Sequence, residues 1–364
     1  MGESKKCERR PFSETMIEVL NAGAVNLALA IGYRTGLLDV LDTFDSPRPV
    51  SHIAEKAGLS VRYVQEWLGI VTSAGIVTLS MEGGESFFQL PREHGDLLTR
   101  RAGSSNLGVY TQEIPLLTTI ALESVIQGFY TGEGVDYECY PRFQAFMSGL
   151  AEAKHQQILI DRFLPSFENG QIVALLRKGI RVCDLGCGEG VATILMAEAF
   201  PESRFIGLDI SKEALSRAAA TAREKGLENI HFLEVDAARL DEHHDLSQAF
   251  EYVTAFDSIH DQTHPLEALK GVHGLLVPGG IFSMVDIAAR THLQDNLDHP
   301  MAPFLYTVSL MHCMPVGLVN GGAGLGMMWG REKAEAMLRE AGFHEVKVLE
   351  MDHDPFNLHF CCRK

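Results

Sequence analysis

The nine residues Val182-Cys-Asp-Leu-Gly-Cys-Gly-Glu-Gly190 lead a strand-like run into three alternating glycines, Gly186, Gly188 and Gly190, and then into the helical stretch VATILMAEAF. Glycines so spaced let a backbone turn tightly and come close to a ligand, as in dinucleotide-type crevices. Acidic residues are placed to serve such a crevice. Asp184 precedes the loop, and Asp209 falls nineteen positions after Gly190 at the end of the next strand-like run, where a carboxylate can hold both hydroxyls of a ribose. Asp236 is expected to end the third run in the same manner. An NAD-type loop would read G-x-G-x-x-G, whereas this one reads G-x-G-x-G.

A second group lies at the expected end of the fourth strand, Phe256-Asp-Ser-Ile-His-Asp-Gln-Thr-His264, which in a doubly wound sheet opens onto the ligand crevice. His260, with an unperturbed pKa of about 6.5, suits general-base work, and Asp261 could orient it or hold the ammonium of a bound cofactor. His264 is placed to reach a substrate. Further on, His312 and Cys313 stand in Leu310-Met-His-Cys-Met-Pro315, where Met311 and Met314 could line an adaptable apolar wall. Asp241-Glu-His-His-Asp245 has metal-ligand residue types, but adjacent histidines have no fixed ligand geometry without a third placed partner, so a solvated loop and no metal are expected. His359, Cys361 and Cys362 in the last strand read as sheet packing.

The elements that must position these residues follow from periodicity. Ile17 to Leu41 is apolar at helical spacing and reads as one or two buried helices, and Ser51 and Ser60 are expected N-caps of two short helices that stop near Gly58 and Gly75. IVTLS and SFFQL, joined by Met81, Glu82, Gly83 and Gly84, read as a hairpin, which makes a winged-helix order. Residues 105–170 are helical, with breaks at Pro115, Pro141 and Pro165. Beyond them RVCDL, RFIGLDI, IHFLEVD, AFDSIH and IFSMVDI alternate with helices, the pattern of a doubly wound α/β sheet, and EVKVLEM and FNLHFCC close the chain as an antiparallel hairpin. The domains expected are 1–104, winged-helix-like; 105–170, a helical bridge or lid; and 171–364, catalytic.

Composition narrows the classes. The 364 residues carry 48 acidic against 31 basic side chains, a net charge of -17, and 46% are hydrophobic, so packed cores are expected and disorder is not. A charge of that sign repels nucleic acid, and residues 51–75 offer only Lys56 and Arg62 against Glu55 and Glu66. No apolar run was long enough to predict a membrane span, and the N-terminus MGESKKCERR is polar. Seven cysteines without a CxxC pair fit reduced thiols and a cytoplasmic setting.

With DLGCGEG, Asp209, Asp236 and the LLVPGG before the fifth strand in place, residues 175–364 resemble the class I S-adenosylmethionine-dependent methyltransferases. The resemblance implies a seven-stranded Rossmann-like sheet, S-adenosyl-L-methionine as cofactor and S-adenosyl-L-homocysteine as product. It also implies a cofactor site formed by Asp184, Gly186, Cys187, Gly188, Gly190, Asp209, Ile210, Asp236, Ala237 and Phe256. GYRTGLLDVL, IHDQ and MHCMPVGL...GGAGLGMMWG extend the likeness to a two-domain group of bacterial and animal methyltransferases, some linked to S-methylation of small thiols. The group implies a small-molecule acceptor, a thiol ahead of a hydroxyl or amine, and a homodimer built on the front domain, with no nucleic-acid or membrane partner. His260, Asp261 and His312 are then the catalytic candidates, with Tyr33, Arg34, Met147, His260, His264, His312 and Cys313 as substrate contacts. A ligand sensor that binds DNA through its winged helix and a protein methyltransferase are the alternatives.

Overall fold

The computed structural model describes residues 11–364, which fall into two compact units, one ending at Pro115 and one beginning at Leu116. In the first, α1 (Phe12–Arg34) and α2 (Leu37–Asp42) precede β1 (Arg48–Pro49), α3 (Val50–Ala57), α4 (Val61–Ser73), β2 (Thr78–Glu82), β3 (Glu85–Gln89) and α5 (Arg92–Leu98). Leu38, Leu41, Ile53, Leu68 and Val71 form its core, and the Trp67 indole donates to the Ala28 carbonyl at 2.7 Å. The expected hairpin forms with a shorter turn: Glu82 pairs with Glu85 around Gly83 and Gly84, so Met81 and Glu82 belong to β2. Ser51 does not cap its helix. Pro49 is extended and pairs with Phe87 of β3, so α3 starts at Val50 and Ser51 lies inside it. Ser60 holds the N-cap position of α4, without a side-chain capping bond.

The expected proline breaks turn out to be helix starts: Pro115, the last residue of the first unit, lies in the first turn of α6 (Glu113–Thr131), and Pro141 in the second unit opens α7 (Pro141–Ile158). Proline costs nothing there, because first-turn amides have no partner inside the helix. The sheet that follows is made of β4 (Arg181–Leu185), β5 (Arg204–Asp209), β6 (Ile230–Glu234), β7 (Phe250–Phe256), β8 (Leu276–Ile287), β9 (Glu345–Glu350) and β10 (Asn357–Arg363), in the order β6-β5-β4-β7-β8-β10-β9. β4 to β8 are parallel, and β10 runs antiparallel between β8 and β9. Helices cover both faces, which is why β4 and β7 are buried almost throughout instead of on alternate residues.

Three boundaries differ from the sequence reading. β6 stops at Glu234, so Asp236 lies two residues past the strand and caps a short 3-10 turn, its carboxylate accepting from the Ala238 amide at 2.9 Å. β7 begins at Phe250, and β8 begins at Leu276, running through Pro278, Gly279 and Gly280. The register between β7 and β8 is irregular between Phe250 and Tyr252, which lets β8 carry residues that read as a turn.

Candidate functional site

The site lies at the carboxyl ends of β4, β5 and β7, the crevice side of a doubly wound sheet. β4 delivers the glycine loop. Gly186 and Gly188 have φ of 69° and 54°, a backbone that L side chains rarely adopt. They differ in surroundings: a Cβ on Gly186 would lie 2.5 Å from Ser258, whereas one on Gly188 would meet nothing within 4 Å. The loop is therefore packed against the β7 end at its base and open at its tip.

Two carboxylates fix that loop from opposite sides. Asp184, 2% exposed, accepts from Thr193 at 2.6 Å and from Thr254 at 2.8 Å, which ties β4 to β7 and to the helix after the loop. Burial raises its pKa to about 6 despite both threonines, because the charged form is cut off from water. Asp209, at the end of β5, accepts from the Gly188 amide at 2.8 Å and from the Ser211 amide at 2.8 Å. Burial raises its pKa as well, against those amides. A carboxylate has about four acceptor positions, so acceptor capacity is left for an entering hydroxyl. Ile210 beside it is exposed, and Ala237 is buried beside the capping Asp236. Phe256 is engaged elsewhere, its ring packed on His155 at 4.8 Å and Phe163 at 5.6 Å.

On the acceptor side, His260 is 3% exposed and its Nδ1 is 2.8 Å from Asp286 Oδ1 in β8. Its Nε2 is 3.5 Å from Asp261 Oδ1. Burial pulls the imidazole pKa down, but Asp286 and Asp261 outweigh it, so the ring is held in its charged form well above the usual range. A base role would require that proton to leave first. Cys313 lies within reach: His260, Asp261 and Cys313 each place a donor atom within 4.8 Å of the others. Burial pushes the Cys313 thiol up to about 12. His312 is buried between Tyr140 at 4.7 Å and Phe143 at 4.5 Å, with its pKa lowered by that burial. Both residues sit on a π-helical turn, Ser309–Cys313, a distortion often found at functional sites.

Residues 116–170 close over this group. The Tyr140 hydroxyl donates to the Met311 carbonyl at 2.9 Å, and the Val135 amide donates to the Pro315 carbonyl at 3.0 Å. Ser148 of α7 donates to Glu189 in the glycine loop at 2.8 Å, and Arg217 holds the other Glu189 oxygen at 2.7 Å. The Tyr137 ring lies 6.1 Å from that of His312, and its pKa is raised first by burial and then by the charges of Asp209 and Asp261.

Tyr137, Tyr140, Glu189 and Asp286 escaped the sequence reading, because nothing in their local spacing distinguishes them and only tertiary folding brings them in. Of the residues the sequence singled out, His264 is exposed, with Thr263 3.0 Å from its Nδ1, and Met147 is exposed on α7. Tyr33 belongs to the first unit, where its hydroxyl accepts from Asn106 at 2.9 Å and Arg100 stacks 4.4 Å over its ring. Arg34 is exposed nearby. His359, Cys361 and Cys362 are buried in the sheet, as expected.

Residues 176–352 match the family model described as a methyltransferase domain, and residues 23–100 match an Rv2258c-like winged HTH domain. The demethylmenaquinone methyltransferase of Geobacillus stearothermophilus is 27% identical over 184 residues, covering 48% of this chain and 74% of the relative. Among solved structures, human N-acetylserotonin methyltransferase in complex with SAM superposes with a TM-score of 0.64 at 16% identity, over 100% of this chain and 99% of that one. An O-methyltransferase family protein from Burkholderia thailandensis gives a TM-score of 0.68 at 15% identity, over 97% and 98% of the two chains. At such identities the likeness is one of fold.

Proposed function

The chain is a two-domain methyltransferase, a class I catalytic domain behind a winged helix-turn-helix domain, and on that premise we propose that it methylates a small-molecule nucleophile from S-adenosylmethionine, a thiol ahead of a hydroxyl or an amine. The residues present fit that cofactor. Gly188 leaves an open cradle at the loop tip, Asp209 retains acceptor capacity for a ribose hydroxyl, and Ile210 and the 236–237 step offer an apolar and a polar edge for the base. When bound, the cofactor supplies a methyl group already activated by a sulfonium centre, so the chain's share is alignment and exclusion of water. Asp184 supports the loop from below, through Thr193 and Thr254, at the amino-acid end.

The observation that carries the acceptor class is His260 held between Asp286 and Asp261. An imidazole kept protonated is a poor base for an alcohol, whose proton must be removed. A thiol of pKa about 8.5 is already a few per cent thiolate at neutral pH and asks for little base strength. Cover from Tyr137, Tyr140 and α7 supports a small acceptor over a protein chain. Calorimetry with S-adenosylmethionine, then homocysteine release across thiols, phenols and amines, tests this: micromolar binding with turnover on thiols is expected. Turnover confined to phenols or amines would overturn the acceptor class, and no binding at all would overturn the cofactor.

The same reading includes a homodimer in the cytoplasm with no nucleic-acid partner. Support comes from the exposed apolar residues of α1, and from α4, whose Arg62 is neutralised by an ion pair with Glu66.

A further inference from the structure

The group formed by His260, Asp261 and Cys313 is prepared in ways that packing alone does not require. Asp286 fixes His260 through Nδ1 at 2.8 Å, so the ring presents its Nε2 edge to the other two donors. Asp261 Oδ1, 3.5 Å from that nitrogen, is buried and has no hydrogen-bond partner among the described residues. Cys313 and His260 are 4% and 3% exposed, and the π-helical turn brings the thiol inward. Bonds of about 2.0 to 2.3 Å at tetrahedral angles separate zinc-bound nitrogen, oxygen and sulfur by about 3.3 to 3.6 Å; His260 and Asp261 already have that spacing, and the Cys313 sulfur lies within 4.8 Å of both. A divalent cation offsets the charges of the Cys313 thiolate and the Asp261 carboxylate, and the Asp286 carboxylate is held by the N–H of the ligating imidazole.

We infer that His260, Asp261 and Cys313 form a site for a thiophilic divalent cation of the Zn2+ class, with three protein ligands and a fourth position open to the acceptor thiol. Asp286 is then the carboxylate that orients the ligating histidine. Three ligands are the mark of a site that keeps a position for substrate, whereas structural zinc sites close with four. The inference deepens the acceptor-site reading above and rests on it, placing a cation where His260 Nε2 otherwise carries a proton. The sequence reading missed the site because it weighed only 241–245, and Cys313 lies far along the chain from the His260–Asp261 pair.

The step balances in atoms and electrons. An entering thiol displaces a metal-bound water, its proton leaves with that water to solvent, and a sulfur–metal bond forms. The sulfur pair then bonds the methyl carbon while the sulfonium carbon–sulfur bond breaks, its electron pair staying on the departing S-adenosylhomocysteine. The methylated acceptor is an uncharged thioether, a weaker ligand than the thiolate, and dissociates.

Chelator-stripped protein titrated with Zn2+ alone against a chromophoric chelator, and with Co2+ alone, tests the site without turnover. One equivalent of each is expected, with a thiolate-to-cobalt charge-transfer band that Cys313→Ser abolishes. Asp286→Asn should weaken Zn2+ binding by about 10- to 100-fold, and Asp261→Asn by at least as much. Circular dichroism and S-adenosylhomocysteine binding check that each variant is folded. Should Cys313→Ser fail that check, the band in the wild-type protein decides. No charge-transfer band, or Zn2+ affinity unchanged in folded Asp261→Asn, overturns the inference. Stripped protein that methylates thiols as fast as loaded protein overturns it too and leaves the methyltransferase reading standing; metal binding without any cofactor binding does the reverse.

Discussion

Asp184 and Asp209 are both carboxylates on strands beside one loop, yet they do different work. Asp184 has its oxygens committed to Thr193 and Thr254, whereas Asp209 touches only backbone amides and keeps acceptor capacity. Asp209→Ala should therefore raise the dissociation constant for S-adenosylmethionine by about 10- to 100-fold, the worth of a hydrogen bond to a charged group, as read by calorimetry. Unchanged affinity would remove Asp209 from the ribose. A second residue-level test concerns His359, packed 4.5 Å from Phe167 and 4.9 Å from Phe163, whose pKa burial lowers to about 3. The unfolded chain's histidine titrates at about 6.5. Between those values the unfolded chain takes a proton that the folded one refuses, so stability falls as the pH falls. From pH 7 to 5 the loss is about 2 kcal/mol for this residue, and His359→Gln should lose that much less in urea unfolding at the two pH values. Asp184 acts with the opposite sign, its folded pKa of about 6 lying above the unfolded value, so it offsets part of the loss. An acid limb equally steep in wild type and variant would refute the assignment. The loop glycines, Asp209 and His260 were legible from residue type and spacing. Tyr137, Glu189 and Asp286 were not, because what marks them is contact across long stretches of chain.

Among the elements, the glycine loop separates room for a ligand from room for protein. Gly188→Ala leaves a methyl with no protein atom within 4 Å, at a φ of 54°, so it should cost about 1 to 2 kcal/mol in stability while weakening cofactor binding severely. Gly190→Ala drives a Cβ to 2.7 Å from Phe232 at a φ of 72°, and should cost several kcal/mol by adding overpacking to the backbone strain. Thermal unfolding and calorimetry on both variants decide it; a Gly188→Ala protein that binds S-adenosylmethionine normally would show that the open space is not the cradle. The parallel strands and their crossover helices were readable because buried strands are continuous apolar runs between turn residues. What failed were ends governed by tertiary pairing: α3 starts at Val50 because Pro49 is drawn into β1, and Asp236 caps a turn because β6 needs only the length that β5 offers it.

At the scale of the whole molecule, α1 is the feature without an account from its own unit. Its C-terminal part is buried through Ala28, Leu29, Ala30 and Tyr33, while Phe12, Ile17, Val19 and Leu20 upstream are 74%, 59%, 56% and 68% exposed. With a mean hydropathy of 1.4 over its best window, α1 is long and apolar enough to cross a bilayer, as is Ala302–Gly321, contrary to the reading of the sequence as lacking any such run. The two differ in burial: 56% of the second window is inside the protein, as for a core helix, against 17% for α1. A contiguous apolar surface of this kind marks an interface, and two-fold association buries the same patch on both copies at once, so every exposed side chain on it counts twice. Charge placed at its centre should then cost the proposed dimer two desolvated carboxylates for each residue changed. Ile17→Glu with Leu20→Glu is expected to convert a dimer into a monomer in sedimentation velocity, with S-adenosylhomocysteine binding retained, since neither residue belongs to the cofactor site. A wild-type protein that sediments as a monomer and floats with lipid vesicles would assign α1 to a membrane surface instead.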